Sequence, residues 1–135
     1  MFVLCSYLVC PQNGLLLARQ LPETLSFYDN QTFYRNSQTC SWVIKANSSN
    51  ERVVVELKMF ANSLGKGDYI EFRDGHSKTS PVIKKFTMED RERRPFSPVE
   101  SSGDSLWMQF SYDKTLNGTG FEILFFSEGK ILRLL

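Results

Sequence analysis

Hydrophobic and polar residues alternate most clearly in the segment Asp68–Gly75. Ile70 and Phe72 fall on one face of this segment, and the residues beside them fall on the other. A half-buried β-strand requires this period of two residues. The Asp74-Gly75 pair that follows can adopt positive φ, so the pattern predicts a strand that ends in a tight hairpin turn.

Other short strand-like runs are separated by clusters of turn-forming residues. No helical crossover pattern intervenes between them, which favours antiparallel pairing over a parallel sheet. The sequence therefore predicts an all-β protein, an antiparallel β-sandwich with two tryptophans, Trp42 and Trp107, packed between its sheets. The runs lie at 41–45, 52–60, 81–86, 96–100, 106–110 and 121–126.

The composition fits one domain with a packed interior. The chain has 135 residues, of which 41% are apolar, and eleven are phenylalanine; this is enough apolar surface to build a core. The net charge of +1 argues against a broad phosphate-neutralising surface, so no nucleic-acid partner is predicted. No apolar run approaches the length of a membrane span, so none is predicted in this chain.

The sequence contains no recognisable catalytic constellation. His76 is the only histidine, and no nucleophile with an orienting third residue can be paired with it. A surface position in the turn after Gly75 is the better interpretation. The sequence therefore predicts that the chain is not an enzyme and has no catalytic residues.

Two interpretations of the N-terminal segment remain open. Residues 1–18 are apolar enough for a signal peptide, with Leu15–Ala18 extending the apolar part, yet no basic residue precedes it and Pro11–Gly14 interrupts it. The alternative is an N-terminal extension that contains a first strand. Three cysteines, Cys5, Cys10 and Cys40, form an odd count.

Three tripeptides have the form of N-glycosylation acceptors. They flank or interrupt predicted strands, which suits glycans on surface loops. Together they favour a secreted protein, or one on the extracellular face of the cell surface. The acceptors are Asn30, Asn47 and Asn117, each with a serine or threonine two residues later.

Four sequence elements between about residues 25 and 126 resemble those of CUB domains. They are Cys40–Ile44 (C-S-W-V-I), Asp68–Gly75 (D-Y-I-E-F-R-D-G), Ser102–Phe110 (S-G-D-S-L-W-M-Q-F), and Ser111–Asp113 with Gly120–Ile123 seven residues beyond the aspartate. The resemblance implies a jelly-roll-like CUB β-sandwich over residues 19–128, preceded by residues 1–18 as signal peptide or extension and followed by a tail, 129–135. A finer similarity points to the CUB domains of secreted CUB-and-EGF proteins.

The resemblance also implies a function. CUB domains are extracellular, non-enzymatic modules for protein–protein interaction, and they recognise a partner through loops at one end of the sandwich. An extracellular protein partner is therefore expected, with a basic side chain as the group recognised, and this chain is expected to be one domain of a larger multidomain protein. The alternatives are a non-catalytic fragment of a larger secreted protease or cell-surface receptor, and a structural spacer domain.

CUB domains commonly hold four cysteines in two disulfides, and only the first pair has counterparts here. Cys40 matches the second family cysteine and Cys10 lies at a suitable distance upstream, so the resemblance implies a Cys10–Cys40 disulfide. Both cysteines of the second pair are missing, from Gly65 or Lys66 and from Thr87. Cleavage near Ala18 would remove Cys10, so the signal-peptide interpretation and this disulfide exclude each other.

Calcium-binding CUB domains use acidic side chains from adjacent loops, because a hard cation needs several negatively charged oxygens. Asp68 and Asp113 match two of these acids, and Thr115 matches the residue that adds a backbone carbonyl. The loop at 61–67, where the third acid is expected, contains none and contains a lysine. The sequence therefore predicts at most a weak calcium site, and no other cofactor.

Overall fold

The structure is a computed structural model that describes residue 10 and residues 14–29, 38–60, 68–87, 89–90, 95–112 and 119–130. These residues form nine β-strands. They are β1 (Gly14–Ala18), β2 (Glu23–Asp29), β3 (Gln38–Ala46), β4 (Glu51–Phe60), β5 (Tyr69–Arg73), β6 (Val82–Thr87), β7 (Val99–Glu100), β8 (Ser105–Tyr112) and β9 (Thr119–Gly129).

The strands form two sheets that pack face to face. The five-stranded sheet has the order β1-β3-β8-β5-β6, and the four-stranded sheet has the order β2-β9-β4-β7. Every pairing is antiparallel except that of β1 with β3, which is parallel. The prediction of an all-β sandwich is confirmed, with one parallel edge strand that the pattern did not indicate.

Aromatic rings fill the centre of the core. The ring centroids of Phe110 and Phe121 are 5.0 Å apart, and Phe27 contacts Phe110 edge-on at 5.4 Å. Trp42 meets Phe121 at 5.8 Å, which places this tryptophan between the sheets, as predicted. Each fully buried large side chain of this kind contributes about 1.5–3 kcal/mol, so these rings hold the two sheets together.

The strand predicted from the alternating pattern is β5. Ile70 and Phe72 are fully buried on its inner face, which confirms their predicted orientation. The prediction of a tight hairpin turn after β5 is wrong, because the connection to β6 spans residues 74–81. Gly75 has a φ of 149°, and Asp74 donates its backbone N–H to the carbonyl of Pro81 at 2.8 Å, so the connection is a longer, closed loop.

The expected position of Trp107 between the sheets is wrong. Its neighbours Leu106 and Met108 are fully buried in the core, so alternation along β8 directs Trp107 to the outer face of the five-stranded sheet. It remains only 7% exposed, because Arg73 lies over its ring at 5.9 Å from the centroid and Val43 pairs with it from β3. Gln109 and Ser111 share this outer face, so the alternation itself indicated the orientation, and the prediction made from residue type overlooked it.

The strand predicted at 96–100 is reduced to β7, two residues long. Pro95 and Pro98 lie before it, and a proline cannot donate an N–H to a neighbouring strand. The backbone pairs with β4 only from Val99 onward. The short strand leaves Phe96 at the surface between the two sheets.

The strand β1 precedes residue 19, where the domain is expected to start. Leu16 and Ala18 of β1 are buried in the core, and a disulfide links Cys10 to Cys40 of β3 with a Cα–Cα distance of 5.6 Å. A cut near Ala18 would therefore remove both a strand of the sandwich and the disulfide.

Candidate binding surfaces

Asp68 lies at one end of the sandwich, directly before β5. Tyr69 pairs with Ser111, so Asp68 is level with the end of β8. Its side chain is 3% exposed. Asp113, Thr115 and the loop 61–67 lie outside the described residues, and the described residues contain no group of three or more His, Cys, Asp and Glu side chains placed to hold a metal. Of the predicted calcium ligands, the structure thus locates Asp68 alone.

The disulfide lies at the same end of the sandwich. Cys40 pairs with Phe110, and the next pair toward that end is Thr39 with Ser111, whose hydroxyl oxygens are 3.3 Å apart. Cys10, which precedes β1, is therefore covalently linked to the start of β3.

A hydrogen-bonded turn occupies the position of one missing cysteine. Thr87 donates its backbone N–H to Asp90 Oδ2 at 2.8 Å, and its hydroxyl donates to the same oxygen at 3.3 Å. The end of β6 is thus held by a carboxylate at the position where the resemblance implies a cysteine that this chain lacks. Nothing in the sequence indicated that Asp90 would accept hydrogen bonds from Thr87.

The outer face of the five-stranded sheet carries polar side chains that bind one another. The Tyr69 hydroxyl donates to Gln109 Oε1 at 2.9 Å, and Gln109 Nε2 donates to Ser41 Oγ at 3.2 Å. Arg73 Nε donates to Glu71 Oε1 at 2.9 Å. Because these groups satisfy one another, the face is a rigid surface whose polar groups are already paired.

A groove lies where the edge strand β6 faces β4 and β7 of the other sheet. It consists of two adjoining concavities of about 560 and 340 Å³, and both are lined by Pro95, Phe96 and Pro98. Phe96 packs edge-on against Phe86, with ring centroids 5.4 Å apart. Glu56 and Lys58 line one concavity and Lys84 and Asp90 line the other. An apolar floor with charges of both signs suits contact with a protein surface rather than with a polyanion.

Sequence reasoning did not anticipate this groove. The signal that could have indicated it is the pair of prolines around Phe96, because they prevent continuous strand pairing and leave a large apolar side chain without a place in a sheet. His76, by contrast, lies exposed in the β5–β6 connection, where the sequence placed it.

Of the three predicted glycan acceptors, only Asn47 lies among the described residues. It follows directly after β3 and is exposed. Asn30 and Asn117 lie outside the described part of the chain.

A sandwich of two sheets, one of five and one of four strands, with a disulfide at the start of β3, defines the class of this protein as a disulfide-linked β-sandwich. The family model described as CUB domain matches residues 16–125. The chain belongs to the CUB domain family. CUB domains are non-catalytic interaction modules of extracellular proteins.

Curated relatives support this assignment. The chain is 31% identical over 98 residues to bone morphogenetic protein 1 of Xenopus laevis, covering 70% of this chain and 13% of that protein. It is 33% identical over 99 residues to human tolloid-like protein 1, covering 70% and 9%, and 33% identical over 93 residues to neuropilin-1a of Danio rerio, covering 67% and 10%. The chain thus spans about a tenth of the length of these relatives, which are much larger proteins.

Solved structures share the fold. The full extracellular region of zebrafish Gpr126/Adgrg6 superposes with a TM-score of 0.60 at 21% identity, covering 87% of this chain and 15% of that one. The CUB1-EGF-CUB2 domains of rat MASP-1 give a TM-score of 0.58 at 16% identity, covering 84% and 42%. Within the residues that the structure describes, no helix has the length and apolar character needed to cross a membrane.

Proposed function

We propose that this chain acts outside the cell as a non-enzymatic module that binds a protein partner. The observation that carries the proposal is the CUB match over residues 16–125, together with relatives in which the matching segment is a small part of a large protein. Such a segment contributes recognition to a longer polypeptide, and we propose that this chain is likewise one domain of a multidomain protein.

We further propose that recognition uses the loops at the Asp68 end of the sandwich, with a basic side chain of the partner as the group bound. Three strands that end or begin there, β3, β5 and β8, are neighbours in one sheet, and the disulfide fixes the first of them. A rigid platform of this kind holds loops in position without restricting their sequences. Asp68 lies buried at that platform.

The test is a capture experiment on extracellular extract with the immobilised, oxidised chain. We expect a defined partner to be retained, and we expect retention to fail when the extract's lysines are first acetylated, since acetylation removes their charge. The variant Asp113→Ala, in the loop after β8, should lose the partner. The matched control Phe96→Ser alters the groove at the side of the sandwich and should keep it.

The outcomes separate the candidate surfaces. If Phe96→Ser abolishes capture while Asp113→Ala preserves it, the groove and not the loop end carries recognition. Circular dichroism and thermal unfolding are to be measured for both variants, as the check that each is folded. A specific partner that binds equally well after its lysines are acetylated and its arginines are modified with a dicarbonyl reagent would contradict the role of a basic side chain.

The alternatives make different predictions. A spacer domain would retain nothing specific from any extracellular extract. A chain with catalytic activity of its own would turn over generic hydrolase substrates, and such turnover by the purified 135-residue chain would overturn the proposal. The intact mass of the protein recovered from culture medium tests the proposed extracellular location, because it reports secretion, cleavage, glycans and disulfides at once.

A further inference from the structure

Leu21 is the most exposed large apolar side chain among the described residues, at 80%. It lies in the short connection between β1 and β2. A leucine this exposed contributes little to the core and leaves its apolar surface in contact with water. The neighbouring turn of the chain carries the acceptor Asn47.

The parallel pairing of β1 with β3 brings two turns side by side. Ala18, the last residue of β1, pairs with Ala46, the last residue of β3. Because the two strands run in the same direction, the residues after them leave the sheet at the same edge, so Leu21 and Asn47 become neighbours. Both line one concavity of about 580 Å³, within the range of about 300–1,000 Å³ that small ligands occupy.

Apart from Leu21 and Pro22, the side chains around that concavity are polar. Arg19, Gln20, Glu23 and Glu51 line it beside Leu21, Asn47 and Pro22. Gln20 Nε2 donates to Glu51 Oε2 at 3.1 Å, which connects the two turns. The result is a shallow site with two apolar side chains, Leu21 and Pro22, and a rim of hydrogen-bonding groups.

Several hydrogen bonds fix the turn that carries Asn47, among them one from the backbone N–H of Lys130 to the carbonyl of Asn50 at 3.0 Å. Ser48 Oγ accepts the backbone N–H of Asn50 at 3.1 Å, and the Ser48 carbonyl accepts that of Glu51 at 3.1 Å. Lys130 Nζ donates to the Ser49 carbonyl, also at 3.1 Å. The backbone of this turn is therefore fixed beside the concavity that Asn47 lines.

We propose that Asn47 carries an N-linked glycan whose first sugars lie in this concavity and cover Leu21. The inference rests on the proposed extracellular function, since N-glycans are added in the secretory pathway. In the transfer, Asn47 Nδ2 forms a bond to C1 of the first N-acetylglucosamine, and the C1–O bond to the diphosphate of a lipid-linked oligosaccharide breaks. The lipid diphosphate leaves, and the amide proton passes to a base of the transferring enzyme.

The chemistry of the sugar matches that of the site. A pyranose ring has a face of C–H groups and a perimeter of hydroxyl groups, so its C–H face can pack on Leu21 while its hydroxyls bond to Arg19, Gln20 and the two glutamates. A peptide loop would have to find this site by diffusion. The glycan is attached at its edge, so its local concentration there is high.

The test is hydroxyl-radical footprinting of the full chain secreted from animal cells behind a supplied leader. Oxidation of side chains reports their access to water. We expect Leu21 to be oxidised severalfold faster in the aglycosylated variant Ser49→Ala, which keeps Asn47 but removes the acceptor motif, than in the glycosylated chain. Leu15 and Leu17, exposed at 60% and 47% on β1 and outside the concavity, are internal controls and should be oxidised equally in both.

The conservative variant Ser49→Thr retains the acceptor and should restore protection of Leu21. Equal oxidation of Leu21 with and without the glycan would overturn the inference, and so would an unmodified Asn47 in a chain glycosylated at Asn30 or Asn117. If Leu21 is protected but no partner is found, the proposed function fails and this inference stands. A partner bound by a chain with unprotected Leu21 would contradict this inference alone.

Discussion

Asp74 accepts two hydrogen bonds from Ser102. The backbone N–H of Ser102 donates to Oδ1 at 2.9 Å, and its hydroxyl donates to Oδ2 at 2.7 Å. The two residues belong to different connections, one between β5 and β6 and the other between β7 and β8. The aspartate of the D-G pair thus joins two loops at the end of the sandwich opposite Asp68.

We predict that Asp74→Ala lowers the free energy of unfolding by about 1–3 kcal/mol, because two donors on Ser102 lose a charged acceptor. Urea denaturation measures the change. Asp104→Ala is the control: Asp104 lies 3.6 Å from Lys45 in an ion pair whose side chains are 33% and 51% exposed, so its loss should cost less than about 1 kcal/mol. If both variants lose the same free energy of unfolding, the Asp74–Ser102 hydrogen bonds do not stabilise the contact between the two loops.

Gly75→Ala should also destabilise the fold, by about 1–3 kcal/mol. Its φ of 149° is one that side chains rarely adopt, and an added Cβ would lie 2.8 Å from Cβ of Ser80. Gly103 has open space around its Cα, so Gly103→Ala serves as the control and should change stability little. Thermal unfolding of the two variants distinguishes these outcomes, and a neutral Gly75→Ala would mean that the β5–β6 connection rearranges freely.

The Cys10–Cys40 disulfide closes a loop with a sequence separation of 30. In the chain-entropy model a loop of this size stabilises the folded state by about 3–4 kcal/mol, so Cys10→Ser should reduce the free energy of unfolding by that amount. Cys5→Ser should leave it unchanged. Peptide mapping without reduction identifies the linkage directly, and a Cys5–Cys40 link would contradict the assignment.

We expect the secreted chain to retain Cys10. Removal of residues 1–18 would expose the edge of β3 and open the cavity now filled by Leu16 and Ala18, each less than 5% exposed. Intact mass and N-terminal peptide analysis of the protein in the medium check this. A mature N-terminus at or near Arg19 would show that the sandwich folds without β1 and that Cys40 is unpaired.

Calcium should bind with a dissociation constant of about 1 mM at best, the weak end of the range for extracellular modules. The physical reason is charge: the loop at 61–67 offers no carboxylate and contains a lysine. Calorimetric titration of the folded domain measures the constant, with Asp104→Ala as a control at the other end of the sandwich. Low-micromolar binding that Asp113→Ala abolishes would contradict this prediction.

Local pattern was sufficient to predict those strands that have one apolar and one polar face. Ile70 and Phe72 of β5 illustrate this, since each is fully buried on the side that alternation assigned. On β8 alternation assigns Trp107 to the polar face with Gln109 and Ser111. The prediction that it packs between the sheets followed its residue type instead and was wrong. The shielding by Arg73 depends on a residue in another strand and cannot be read locally.

Long-range contacts account for the remaining differences. The parallel placement of β1 beside β3 depends on pairings 28 residues apart, Leu15 with Val43 and Leu16 with Ile44, and no periodicity encodes it. The loops at the Asp68 end of the sandwich were indicated as a binding site by the family resemblance and not by a physical pattern. In the sequence, Asp68 is only a single carboxylate before a strand. Its predicted companions Asp113 and Thr115 stay predictions.

The two edge strands of the five-stranded sheet, β1 and β6, differ in charge. This difference limits how copies of this domain could polymerise. The margin at β1 has no charged residue between Gly14 and Ala18, whereas the margin at β6 includes Lys84 and Lys85, both exposed. Lysines on an edge strand oppose the addition of a further strand. Head-to-tail growth needs both margins and would be open-ended, but contact between two β1 margins is symmetric and closes on itself. Through this sheet, association of crowded copies by β1 alone would give pairs, and the lysines of β6 oppose extension into fibres.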